Sequence, residues 1–140
     1  MALSRQRHGQ AILIDCHSMP HAALKDVTRK DGIRPEIIIG DRFGSSARPG
    51  YVDYIESAFA DAGFRVARNV PFAGAFIAGH YGRPTRGWHA IQIEIDRTLY
   101  MDEENIQPLP HFQKIRSRLQ PVVAQIARLG RLEHKQLAAQ

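Results

Sequence analysis

A histidine leaving an apolar run, a glutamate set among alternating isoleucines and an arginine in a glycine-flanked turn are the residues whose types and settings suit chemistry. His17 directly follows Ala11-Ile12-Leu13-Ile14-Asp15-Cys16. Neutral imidazole is a common zinc ligand, whereas a histidine at the end of a buried strand is more often a hydrogen-bonded structural residue. His21 stands four residues on, but Pro20 disfavours a helix there, so the two need not share a face. Glu94 lies in Ala90-Ile91-Gln92-Ile93-Glu94-Ile95-Asp96, where its carboxylate either faces solvent or lines a cavity. Arg42, in Gly40-Asp41-Arg42-Phe43-Gly44-Ser45-Ser46, has the planar fork that holds carboxylates. It could instead pair with Asp41 at the surface. There is no glycine-rich phosphate loop in context, no Gly-x-Ser-x-Gly elbow and no His-Glu-x-x-His helix.

The elements that must hold these residues alternate in kind. The runs 11–16 and 36–40 are short, continuous and apolar, which suits strands buried on both faces. Between Gly50 and Gly63, Val52, Ile55, Phe59 and Ala62 recur at helical spacing, and Gly63 suits the position just past a helix end. Residues 64–69 alternate as a third strand. Residues 70–89, with their glycines and prolines, predict a long structured loop. In residues 90–96 the period is two, so Ile91, Ile93 and Ile95 share one face and Gln92, Glu94 and Asp96 the other. Phe112, Ile115, Leu119, Val122, Ile126 and Leu129 then mark a long amphipathic helix that Pro121 should kink or divide, ending in a polar, fraying tail. This order predicts an α/β fold, a mostly parallel or mixed sheet flanked by helices. Ligands bind such sheets where loops leave the carboxyl ends of strands, which is where His17 and Asn69 fall.

At 140 residues the chain is the size of one domain, and 44% apolar and 24% charged residues are ordinary for a soluble globular protein. No apolar stretch approaches the roughly 20 residues that cross a bilayer, and the basic N-terminus lacks the apolar core of a secretion signal. A single cysteine, Cys16, agrees with a reducing, cytoplasmic setting and suits a buried, inert thiol. The net charge of +5 resides wholly in residues 111–140, which hold six basic residues and one acidic. That basic C-terminal helix lacks interleaved aromatics and any nucleic-acid module signature, so a solvated helix face is expected rather than a nucleic-acid or acidic-partner surface.

Four blocks in order resemble the N-formylglutamate amidohydrolase family. They are Asp15-Cys16-His17-Ser18-Met19-Pro20; Ile39-Gly40-Asp41-Arg42-Phe43-Gly44; Asn69-Val70-Pro71-Phe72-Ala73-Gly74-Ala75-Phe76-Ile77 with Tyr81-Gly82-Arg83-Pro84; and Gly87 to Arg97 with Leu99-Tyr100-Met101-Asp102-Glu103. The family is similar in fold to zinc carboxypeptidases, of the phosphorylase/hydrolase-like kind. The resemblance implies zinc-dependent hydrolysis of the amide of N-formyl-L-glutamate or a related N-acyl amino acid, releasing formate and glutamate. It implies His17 as a zinc ligand, Glu94 as the catalytic carboxylate, and Arg42, Asn69 and Arg83 as holders of the substrate's carboxylates.

Members of that family are longer, and their first two zinc ligands lie upstream of the histidine that His17 matches. The chain thus resembles one partial domain, the C-terminal portion of the family fold, with some strands of the sheet lacking. The expected partner is a small N-acyl amino acid, with neither nucleic acid nor membrane. A homo-oligomer or a separate N-terminal half would complete the site. The competing expectation is a non-catalytic, truncated family member acting as a scaffold or partner-dependent half-domain.

Overall fold

A computed structural model describes residues 1–27 and 32–130. The expected fraying tail, with Arg131, Glu133 and Lys135, lies outside the described residues. In chain order the elements are α1 (Ala2–His8), β1 (Ala11–Met19), β2 (Ile37–Gly40), α2 (Pro49–Asp61), β3 (Val66–Arg68), α3 (Phe76–Tyr81), β4 (Trp88–Asp96), β5 (Met101–Asp102), β6 (Gln107–Pro108) and α4 (Phe112–Ala127). Short 3-10 turns at His21–Leu24, Pro84–Arg86 and Arg97–Leu99 connect them.

Four strands make one mixed sheet in the order β1-β4-β2-β3. β1 runs parallel to β4, β4 antiparallel to β2, and β2 parallel to β3. On one face Ile37, Ile39, Ile91 and Ile93 pack under Val52, Ile55 and Phe59 of α2 and Val122 of α4. Ile37, Ile38 and Ile39 are wholly buried, and burying each side chain contributes about 1.5–3 kcal/mol. On the other face Ile38 joins Met19 and Leu24 in a smaller cluster, and α3 packs against β4. Helices on both faces explain why β2 is a continuous apolar run.

Several elements differ from expectation for physical reasons. β1 extends through His17 to Met19, and as the edge strand it is only partly buried, with Cys16 exposed rather than enclosed. The run 70–89 contains α3, whose Ala78 is fully buried beneath the sheet; packing offsets the poor helix propensity of Gly79. α1 has no apolar periodicity of its own, and Gly9 ends it in a left-handed conformation. α4 continues across Pro121 instead of dividing there, held by buried Ile115 and Val122. Part of its basic character is structural: Arg118 stacks on the Phe64 ring at 4.0 Å and donates to the Ala62 carbonyl at 3.1 Å. Among the described residues no helix is long and apolar enough to cross a membrane.

Gly40 ends β2 where the chain of residues 72–74 crosses it. A Cβ there would lie 2.6 Å from the Gly74 nitrogen and 2.7 Å from the Ala73 carbonyl carbon. Both are backbone atoms and cannot swing aside. Gly40→Ala should therefore destabilise the fold by about 1–3 kcal/mol. Urea denaturation checks this; an unchanged midpoint would show that the crossing can open without cost.

Candidate active site

The parallel ladder of β1 and β4 sets His17 opposite Glu94 in register, with Asp15 opposite Gln92. Because side chains alternate along a strand, these four point to the same face, away from α2 and α4. His17 Nε2 lies 2.9 Å from Asp15 Oδ1, and the imidazole is half exposed. Glu94 is 7% exposed, and Gln92 and Asp96 are 3% exposed, so the polar face of β4 is enclosed and not solvated.

Burial raises the Glu94 carboxyl above its ordinary pKa, and Asp15 adds to the rise. The hydrogen bond from Gln92 and the charges of His17 and Arg97 work in the opposite direction. Gln92 Nε2 donates to Glu94 Oε1 at 2.7 Å, while Gln92 Oε1 accepts from the Ala75 backbone N–H at 2.8 Å. One side chain thus fixes the carboxylate and ties it to the loop before α3.

The arginines lie on either side of that loop in sequence, Arg42 in the turn after β2 and Arg83 just past the end of α3. Arg42 donates to the Gly74 carbonyl at 3.2 Å and its guanidinium lies along Gly79. Arg83 donates to the Gly79 and Gly82 carbonyls, each at 2.7 Å. Both line one cavity of about 330 Å³ with Ser45, Ser46 and Thr85. A small cavity bearing two guanidinium groups suits a doubly carboxylated ligand. Asn69 does something else: its side-chain oxygen accepts from the Asp41 and Phe43 N–H groups, and its Nδ2 donates to Asp41 Oδ1 at 2.7 Å. Arg42 and Phe43 both have positive φ, 53° and 54°, an uncommon conformation that this asparagine pins in place.

The structure therefore pairs His17 with Glu94, pairs Arg42 with Arg83, and puts Asn69 beneath the Arg42 turn. Gln92 was legible only as a member of the polar face. Two further features carried no local signal. His21 Nδ1 meets Asp96 Oδ2 at 2.8 Å, and Arg97 Nε reaches the Ser18 hydroxyl at 3.3 Å. His89 is wholly buried, its Nδ1 accepting from the Arg48 N–H, and burial with the nearby Arg48 charge lowers its pKa to about 4. Cys16 is partly shielded and beside Asp15, both of which raise its thiol pKa, so it remains protonated. Among the described residues no group of three His, Cys, Asp or Glu side chains stands ready to hold a metal. His17 by itself does not complete a zinc site.

A mixed-sheet α/β domain with a buried strand-end carboxylate and a two-arginine cavity is the class that fold and site define. The model of the family described as N-formylglutamate amidohydrolase matches residues 1–101, and the chain belongs to that family. It is 33% identical over 109 residues to N-formylglutamate deformylase of Pseudomonas aeruginosa, covering 74% of this chain and 38% of that protein. The enzyme of the same name from Pseudomonas putida is 30% identical over 127 residues, covering 87% of this chain and 44% of that protein. A crystal structure of N-formylglutamate amidohydrolase from Ralstonia eutropha JMP134 superposes with a TM-score of 0.78 at 28% identity, over 94% of this chain and 46% of that one. The chain thus spans less than half the length of these relatives.

Glu94 has a stability signature with a definite sign. Its folded pKa lies above its unfolded value, so the native state holds the proton longer as pH rises. Stability is therefore lost as pH climbs from the ordinary carboxyl value of 4.5 through the raised folded value. Glu94→Gln removes that loss while keeping an acceptor for Gln92. Its urea midpoint should exceed that of the unmodified chain by an increasing margin between pH 4 and pH 7. A constant margin would mean that Glu94 ionises in the fold as freely as in water.

Proposed function

We propose that this chain carries the carboxylate and substrate-anchoring parts of a hydrolase site acting on N-formyl-L-glutamate or a related N-acyl amino acid. The observation that carries the reading is the linkage of buried Glu94, through Gln92 and the 74–75 backbone, to the Arg42–Arg83 cavity. The names of the relatives give the substrate class, and the two arginines match its two carboxylates.

In this reading Arg42 and Arg83 hold the glutamate carboxylates, and the amide extends toward Glu94. Glu94 accepts a proton from water as the water oxygen adds to the formyl carbon. The C–N bond then breaks, the proton passes from Glu94 to the departing amine, and formate and glutamate leave. A carboxyl whose pKa burial has raised suits both transfers. No step is assigned to zinc, since the described residues do not complete a site for it. The localisation proposed is cytoplasmic, in keeping with a reduced cysteine and a metabolite substrate.

Formate release from N-formyl-L-glutamate tests the reading. Glu94→Gln should lower kcat by about 10²- to 10⁴-fold. Arg42→Met and Arg83→Met should chiefly raise KM, more for a substrate with two carboxylates than for one with a single carboxylate. Formate release that is unaffected by Glu94→Gln, or absent altogether, would contradict it.

A further inference from the structure

We propose that His89 is an acid-released latch: its neutral ring fastens residues 46–48 to β4, and its protonation frees that wall of the two-arginine cavity. The proposal concerns the shape of the cavity, whatever ligand the cavity takes, and does not rest on the catalytic reading.

The stretch that carries Arg42 is held at both ends. At its start, the Asn69 side-chain oxygen accepts from the Asp41 and Phe43 N–H groups. At its end, the N–H of Arg48, the residue that leads into α2, donates to His89 Nδ1 at 3.3 Å. Between these anchors Ser46 is laced to β4 twice. Its carbonyl accepts from the Ala90 N–H at 2.9 Å, and its hydroxyl donates to the Ala90 carbonyl at 2.8 Å. Ser46 lines the cavity with Arg42 and Arg83, and packs so closely on Gly82 that a Cβ added there would strike its own Cβ. His89 thus does for the far end of this wall what Asn69 does for the near end. Unlike an asparagine, an imidazole can gain a proton.

The hydrogen bond fixes the state of the ring. An Nδ1 that accepts from an N–H carries no proton, so the imidazole is neutral with its proton on Nε2. The ring is wholly buried, and Nε2 is enclosed without a hydrogen-bond partner among the described residues. A second proton has to go to Nδ1, where it would point at the Arg48 N–H and end that bond. The surroundings do not welcome the charge. Tyr51 of α2 meets the ring edge-on at 4.7 Å and sends its hydroxyl to Gln10 Oε1, and Ile12 of β1 lies opposite in register. The charged group beside the ring is the Arg48 guanidinium, which, after burial itself, holds the pKa down at about 4. A released imidazole protonates at its ordinary value of 6.5. Acid therefore favours the released form, by about 10-fold per pH unit, as pH falls from 6.5 toward 4.

The test is amide hydrogen exchange by NMR from pH 6.5 to pH 4, each rate divided by its intrinsic value. Protection of the Ser46, Arg48 and Ala90 amides should fall about 10-fold per pH unit, ahead of the amides of β2. Nitrogen-15 spectra at neutral pH should show His89 Nδ1 bare and Nε2 protonated. His89→Asn puts an acceptor where Nδ1 stands but gains no proton, so its protection should vary less than about 2-fold across the same range. His89→Leu has no acceptor and should leave the Arg48 amide poorly protected at every pH. Protection in the unmodified chain that is constant with pH overturns the proposal. So does protection that falls only in step with β2, which is unfolding of the whole chain, or a His89→Asn chain that keeps the pH dependence. Should either variant fail to fold, the series on the unmodified chain still decides. Exchange does not depend on formate release, so this proposal and the catalytic one fail separately.

Discussion

The register of the parallel β1–β4 ladder is the constraint on which the rest depends. It puts His17 beside Glu94 and Asp15 beside Gln92 on one face, and Cys16 beside Ile93 on the other. With a side-chain period of two, a slip of one residue would send His17 into the apolar face and Cys16 into the polar one. Ile12 and Ile14 of β1, packed against the main core that holds Ile91 and Ile93 of β4, oppose that slip. The core thus sets the geometry of the site as well as the stability of the fold.

Enclosing a carboxylate is costly, and the structure offsets the cost locally. Gln92 gives Glu94 a hydrogen bond, and His17 and Arg97 supply nearby positive character. The same Gln92 takes its second bond from Ala75, so the loop before α3 cannot shift without disturbing the carboxylate. Asn69 performs the matching task at the end of β3, holding the turn that aims Arg42. Neither residue has to touch substrate to matter; each fixes one that the reaction needs.

Much of the scaffold was legible in the sequence because its signals are local. The apolar run of β2, the two-residue period of β4 and the helical period of α2 each determine their own element. The types of the site residues were legible too, through their four ordered blocks. Their surroundings were not. Whether Gln92, Glu94 and Asp96 face solvent depends on α3 and on the turns after β1 and β3, all distant in sequence. Asn69 suited ligand binding by type, but its partners Asp41 and Phe43 lie nearly thirty residues away. α3 was hidden by its glycine content, and the exposure of Cys16 depends on the order of strands in the sheet. The relation between His21 and Asp96 likewise arises only once β1 and β4 lie side by side.

The most direct test of the central claim is a carbon-13 NMR titration of the Glu94 carboxyl in the chelator-treated chain, beside His17→Asn. A buried carboxyl sharing one site with His17 should titrate above the ordinary value of 4.5. Loss of the His17 side chain, which works against the rise in the Glu94 carboxyl, should move that midpoint higher still. A midpoint at or below the ordinary value, or one unmoved by His17→Asn, would mean that the two residues do not form one enclosed site.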